Sequence, residues 1–145
     1  SCASFRSFAF TQQTRRLCSL IATGRMPFHK LEVSGPFDDE SLRLLGNGIA
    51  KSDVVTHLNL AGSGLDDRGL SILLKCGVLS RLTHLELQCN EIDAAGATAL
   101  AEELRVKSVS FIDLRENLVC SRLSVGHATY VLLPLCWILI CRLIY

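Results

Sequence analysis

The sequence predicts an α/β solenoid, in which short parallel strands lie side by side and a helix crosses between each pair. Two observations carry this. The segments FHKLEVSGP, VTHLNLAGS, LTHLELQCN and VSFIDLREN begin at Phe28, Val55, Leu82 and Val109, a step of 27 residues each time. Each interval between them holds an aspartate followed by apolar residues at helical spacing. A strand–helix–strand order repeated at one period calls for parallel neighbours, because parallel strands are joined by a crossover that is usually a helix.

The four segments align in columns. The first holds Phe28, Val55, Leu82 and Val109, the second Leu31, Leu58, Leu85 and Ile112, and the third Val33, Leu60, Leu87 and Leu114. All twelve positions are apolar in a chain that is 49% hydrophobic, where chance gives about six. Residues two apart point to one face of a strand, so Leu58 with Leu60, and Leu85 with Leu87, face inward. Asn59 and Glu86 between them face the other way. Strands this short are unstable alone, and stacking gives them a continuous core.

Each crossover reads as a helix. DDESLRLLGNGIA, DDRGLSILLKCG and DAAGATALAEEL open on aspartate, a good N-cap that carries a favourable charge for a helix N-terminus. The apolar stripes are Leu42, Leu45 and Ile49, then Leu70, Leu73 and Leu74, then Ala97, Leu100, Ala101 and Leu104. Lys75 followed by Gly77 reads as a helix end.

With these residues in view, LELQCNEIDAAGATALAEEL resembles the leucine-rich repeat of the ribonuclease-inhibitor type, the form shared by NOD-like receptors and Ran GTPase-activating proteins. The resemblance is specific over Leu82 to Leu104, good over Val55 to Leu74, partial over Phe28 to Ile49, and half a unit over Val109 to Val119. It implies a short leucine-rich-repeat solenoid, a horseshoe segment with parallel strands on the concave side and helices on the convex side. In this family a fourth column is usually Asn or Cys. Here it holds Pro36, Ser63, Asn90 and Asn117. An Asn amide both donates and accepts, and so satisfies turn backbone groups. Ser63 does part of this, whereas Pro36 cannot donate and its loop is one residue shorter, so the first unit reads as a worn terminal repeat.

Charge divides the chain of 145 residues into three segments. Residues 1–31 carry +5, residues 32–118 carry −6 and residues 119–145 carry +2, for a net +1. The acidic middle repels phosphate, and the basic stretch lacks regular aromatic interleaving, so no nucleic-acid partner is expected. Seven cysteines at irregular spacing include no CxxC pair and no zinc-spaced Cys/His cluster. They read as reduced thiols in a cytosolic setting. No phosphate loop, dinucleotide fingerprint, HExxH or GxSxG is present. The expectation is therefore no enzyme, no cofactor, and a cytoplasmic binding module.

Candidate binding residues come from the sheet face that the helices leave open. They are Lys30, His57, His84 and Phe111, then Glu32, Asn59, Glu86 and Asp113, then Gln88 and Arg115 with Ser34 and Ala61 in the same column. The second column reads as an acidic stripe suited to a basic surface of a protein partner, as yet unidentified. Phe111 and Arg115 are residue types that anchor interfaces. His57, His84 and Glu86 lie close enough to hold a metal in principle, but the two histidines read as a solvated ladder, with Cys89 as a buried substitute at a loop position. Ser63, Asn90 and Asn117 are structural turn residues. Two other functions follow from the resemblance or the tail: a regulator of a small GTPase, and a membrane-tethered adaptor. A non-functional product of gene prediction is a further reading.

The expected domains are a basic leader at 1–25, disordered or absent from the mature protein, the repeats at 26–119, and a hydrophobic tail at 120–145. The leader, rich in Arg and Ser, is similar to a mitochondrial transit peptide, and Met26 is an alternative natural start. Residues 128–141 hold no charge, fewer than the roughly 20 residues a bilayer span needs. Three readings of 128–145 stay open: a cover over the last strand edge, a membrane anchor, and a segment of an alternative exon.

Overall fold

The structure, a computed structural model, describes residues 16–17, 19–21, 23, 28–105, 107 and 109–119. The expected tail at 120–145 and most of the expected leader lie outside the described residues.

Four strands, β1 (Lys30–Glu32), β2 (His57–Asn59), β3 (His84–Glu86) and β4 (Phe111–Asp113), form one parallel sheet in chain order. Helices α1 (Asp39–Lys51), α2 (Asp67–Lys75) and α3 (Ala94–Leu104) make the crossovers, with a 3-10 turn at Val78–Ser80 after α2. The register is one repeat throughout: Leu31 pairs with Leu58, Leu58 with Leu85, and Leu85 with Ile112. The same backbone bond recurs at each step. The amide of Leu60 donates to Glu86 O at 2.9 Å, and that of Leu87 to Asp113 O at 2.8 Å.

Each helix begins where its aspartate predicts. Asp38, Asp66 and Asp93 are the N-caps, accepting from the amides of Ser41, Gly69 and Ala94, each at 2.8 Å. Helix α2 stops at Gly77, whose φ of 80° is a left-handed conformation that L side chains rarely take.

The inward columns and the helix stripes meet in one core. Leu31, Leu58, Leu85 and Ile112 are buried from the sheet, and Leu45, Ile49, Leu70, Leu73 and Leu100 from the helices. Each such side chain contributes about 1.5–3 kcal/mol by leaving water. Ile21, which precedes the first repeat column, belongs to the same core with no exposed surface, and the partly buried Leu17 packs against it.

Two devices tie repeat to repeat beyond the core. Asn90 is buried and saturates its amide. Its Oδ1 accepts from the amides of Ser63 and Leu65 at 3.1 and 2.9 Å, and its Nδ2 donates to the carbonyls of Leu60 and Leu87 at 2.9 Å and Gln88 at 3.3 Å. Asn117 repeats this one turn on, accepting from Ile92 N and donating to Leu87 O, Leu114 O and Arg115 O. Ser63 supplies one bond of the set, to Val33 O at 3.3 Å, and Pro36 stands exposed. The second device is Asp67, whose Oδ1 accepts from Asp93 N at 2.7 Å. A Cβ on Gly96 would clash with that oxygen, so only glycine leaves room for the carboxylate.

Asn90→Ala leaves two buried amides and a buried carbonyl unpaired, and is expected to cost about 4 kcal/mol in urea denaturation, against about 1 kcal/mol for Ser63→Ala. Equal losses would show that the Asn bonds contribute no more than the serine. Gly96→Ala displaces Asp67 and should cost about 1–2 kcal/mol. In the Asp67→Ala background the same change should cost close to nothing, and a full cost there would place the clash elsewhere.

Candidate functional site

Because side chains alternate along each strand, burying Leu31, Leu58, Leu85 and Ile112 turns their neighbours onto the helix-free face. There the structure brings the expected columns together. Lys30, His57, His84 and Phe111 are register partners across the four strands, as are Glu32, Asn59, Glu86 and Asp113.

The acidic column is largely answered from within the chain. Lys30 Nζ lies 3.0 Å from Glu86 Oε1 and 3.2 Å from Glu32 Oε1. Asn59 Nδ2 donates to the other Glu86 oxygen at 3.0 Å. The Glu86 hydrogen bond, opposed in part by burial, holds the Lys30 ammonium above its ordinary range. At the far end Asp113 is only 4% exposed. Both of its carboxylate oxygens take the guanidinium of Arg115, at 2.6–3.0 Å, and Oδ1 also takes the Arg115 amide. Those bonds from Arg115 hold the Asp113 carboxyl below the usual carboxylate range, against burial. The stripe expected from the sequence is therefore a paired network, and Asp113 is a brace for Arg115 rather than a free charge.

The first column is a ladder of rings. His57 and His84 stack with centroids 4.0 Å apart and planes 11° from parallel, and His84 is followed by Phe111 at 5.6 Å and 28°. Phe111 ends the row at 43% exposure. Each histidine is held by the threonine before it: Thr56 Oγ1 is 2.8 Å from His57 Nδ1, and Thr83 Oγ1 is 2.9 Å from His84 Nδ1. Burial, then the neighbouring His84 and Lys30, push the His57 pKa down. Thr56 and Thr83 were not among the residues expected from the sequence. Their signal is the dipeptide Thr-His, repeated at the 27-residue period.

Further residues complete the face. Gln88 is half-buried, and its Oε1, cut off from solvent, has no hydrogen-bond partner among the described residues. Cys89, expected as a buried substitute, is instead exposed, and its thiol donates to Glu116 Oε2 at 3.0 Å. The reason is backbone conformation. Gly62, Cys89 and Glu116 occupy one repeat position at φ of 62°, 57° and 56°, a turn that faces the side chain outward and costs a non-glycine residue about 1–2 kcal/mol.

Among the described residues no group of three or more His, Cys, Asp or Glu is placed to hold a metal ion. Two imidazoles stacked nearly parallel aim their lone pairs side by side rather than at one point. The same residues do suit recognition, with flat rings, paired charges and amide groups on a fixed sheet. Among the described residues no helix is long and apolar enough to cross a membrane.

A parallel sheet built at one repeat per strand, a helix in every crossover and an Asn-bonded turn make up the fold of a short leucine-rich-repeat solenoid. Residues 51–73 and 80–101 match the family described as "Leucine Rich repeat", whose members are typically interaction modules without enzymatic activity. The chain is also similar to the Tonsoku-like protein of Danio rerio, 32% identical over 111 residues, covering 70% of this chain. It spans 7% of that protein's length.

A depressed His57 pKa means that the unfolded chain binds more protons than the folded one as pH falls through the ordinary imidazole range, about 6.5. His57 therefore disfavours folding increasingly as pH drops below that value. Urea titrations from about pH 7.5 to about pH 5 should show stability falling with acid, and His57→Phe, which keeps a ring in the stack, should flatten the slope in that window. An unchanged slope would place the proton uptake on another group.

Proposed function

We propose that the chain is a protein-binding module of the ribonuclease-inhibitor type, and that its partner docks on the open, concave face of the sheet. The helices α1, α2 and α3, one in each complete crossover, support the assignment of type. The observation that carries the function is the outward ladder of His57, His84 and Phe111 beside the Lys30–Glu86–Asn59 network. Flat rings held in place lose little entropy on binding, and an exposed phenylalanine and an arginine braced by Asp113 are residue types that anchor interfaces. Helices cover the sheet's other face, so this one remains for a partner.

Partner capture with the full chain tests the reading. The native chain is set beside Phe111→Ala/Glu86→Ala on the open face and Leu44→Ala/Arg43→Ala on the outer surface of α1, where both side chains are exposed. A partner held by the native chain and the α1 variant should be depleted about tenfold or more by the face variant. Equal capture by all three, or loss with the α1 variant alone, would move the binding surface off the sheet.

A further inference from the structure

The acceptors of the open face are largely taken within the chain, and donors are left over. Each carboxylate oxygen of Glu86 holds a donor, Lys30 at 3.0 Å and Asn59 at 3.0 Å. Asn59 Oδ1 accepts from the amide of Ala61 at 2.9 Å. Asp113 gives both oxygens to Arg115, and Glu116 Oε2 takes the Cys89 thiol. Lys30, shared between Glu32 and Glu86, keeps one ammonium proton, and Arg115, bonded through Nε and Nη2, keeps those on Nη1.

The histidines add two donors. Thr56 Oγ1 lies 2.8 Å from His57 Nδ1 and 3.5 Å from His29 O, a carbonyl that already accepts the amides of Thr56 and His57 at 2.9 Å. Thr83 Oγ1 lies 2.9 Å from His84 Nδ1 and 3.2 Å from Thr56 O, which already accepts the amides of Thr83 and His84 at 2.8 and 3.2 Å. Each hydroxyl proton therefore goes to the nearer, unoccupied acceptor, Nδ1. A neutral ring that accepts there carries its own proton on Nε2. Among the described residues Gln88 Oε1 is the one buried side-chain polar atom without a partner. Both Nε2 atoms, which bond to no described residue, thus reach solvent.

We propose that the open face docks a proline-rich segment of a protein partner, whose main-chain carbonyls accept from Nε2–H of His57 and His84 while its rings pack along the column that ends at Phe111. This rests on the concave-face reading above and adds the partner's chemistry. A surplus of donors calls for an occupant rich in acceptors and poor in N–H groups. Carboxylates would supply acceptors, but Glu32, Glu86, Asp113 and Glu116 outnumber Lys30 and Arg115 by two, and that balance repels an anion. A proline-rich chain carries a carbonyl at every residue, has no amide proton at each proline and bears no charge. It is also preformed as an extended helix, so docking costs little entropy. The spacings agree. Such a helix turns every three residues, about 9.3 Å, and two strand spacings are about 9.6 Å. Laid across the strands, it meets His57 and Phe111 one turn apart, with His84 between them.

The test titrates a fluorescein-labelled nona-proline peptide into the full chain at about pH 7.5. Anisotropy reads affinity, amide NMR shifts read location, and imidazole nitrogen NMR reads which ring nitrogen carries the proton. Both free rings should carry it on Nε2, and the peptide should shift amides on β2 to β4. His57→Phe/His84→Phe, which keeps the rings and removes the donors, should weaken binding about tenfold or more. Thr56→Val/Thr83→Val, which leaves Nδ1 open to the proton, should weaken it about threefold. Nona-glutamate, an acceptor chain with charge, should bind more weakly than nona-proline at the same ionic strength. Tighter binding of nona-glutamate, or rings protonated on Nδ1, overturns the proposal. Undiminished nona-proline binding by the Phe variant, with shifts on β2 to β4, also overturns it and leaves the concave-face reading standing. Shifts confined to α1, α2 and α3 overturn both. Absence of nona-proline binding overturns the proline-rich assignment, and the capture experiment then judges the face on its own.

Discussion

Asn90 closes its own turn and the turn of the repeat before it with one side chain. The turn after each strand must reverse the chain beneath a layer of buried leucines, where backbone amides and carbonyls cannot reach water. An orphaned group there costs about 1–3 kcal/mol. The amide of Asn90 accepts two bonds from the previous turn and donates three, two of them into its own turn. Its reach across the repeat boundary is what makes stacking cooperative, since neither turn is satisfied without the other. The strand register, the inward leucines and the flat open face all depend on that closure.

The same exact repeat that satisfies the turns constrains the open face. At 27 residues per strand, every side chain sits beside its counterpart in the next repeat. Leucine beside leucine gains from this, but like charges directly opposite one another repel. The columns avoid that cost by alternation. Asn59 separates Glu32 from Glu86, and Lys30 reaches over it to bind both. Asp113 would face Glu86 directly, and Arg115, two residues on in the turn after β4, neutralises it. Histidine is the ionisable residue that tolerates stacking on itself, because it can stay neutral near pH 7.

The fold was legible in the sequence because its determinants are periodic. Apolar columns at a fixed step, aspartate at each helix start and a glycine at the end of α2 are local facts, and each reappears where the period places it. The turn column was legible for the same reason, down to the partial role of Ser63. The open face was legible as a set of residues but not as chemistry. Counting carboxylates in a column gives a stripe; only coordinates show that Lys30 spans two strands to reach Glu86 and that Asp113 turns to Arg115. The exposure of Cys89 also escaped, because a positive φ at a non-glycine residue leaves no mark in composition. Ile21 joins the core from outside the repeat, where no period points to it.

The stack is not uniform along its length. Val55 and Leu82 in the first column are buried, whereas Phe28 and Val109 at its two ends are only half-buried. Pro36 gives the first turn no donor, and the complete Asn bonding lies between β2 and β4. In a linear array each repeat is stabilised by its neighbours, so the interior repeats open least. The interior is also where His57, His84, Asn59 and Glu86 sit. The groups that must hold fixed angles for ring stacking and side-chain pairing thus lie on the most strongly held repeats. Phe111, exposed on the same face, lies on β4, the last of the described strands.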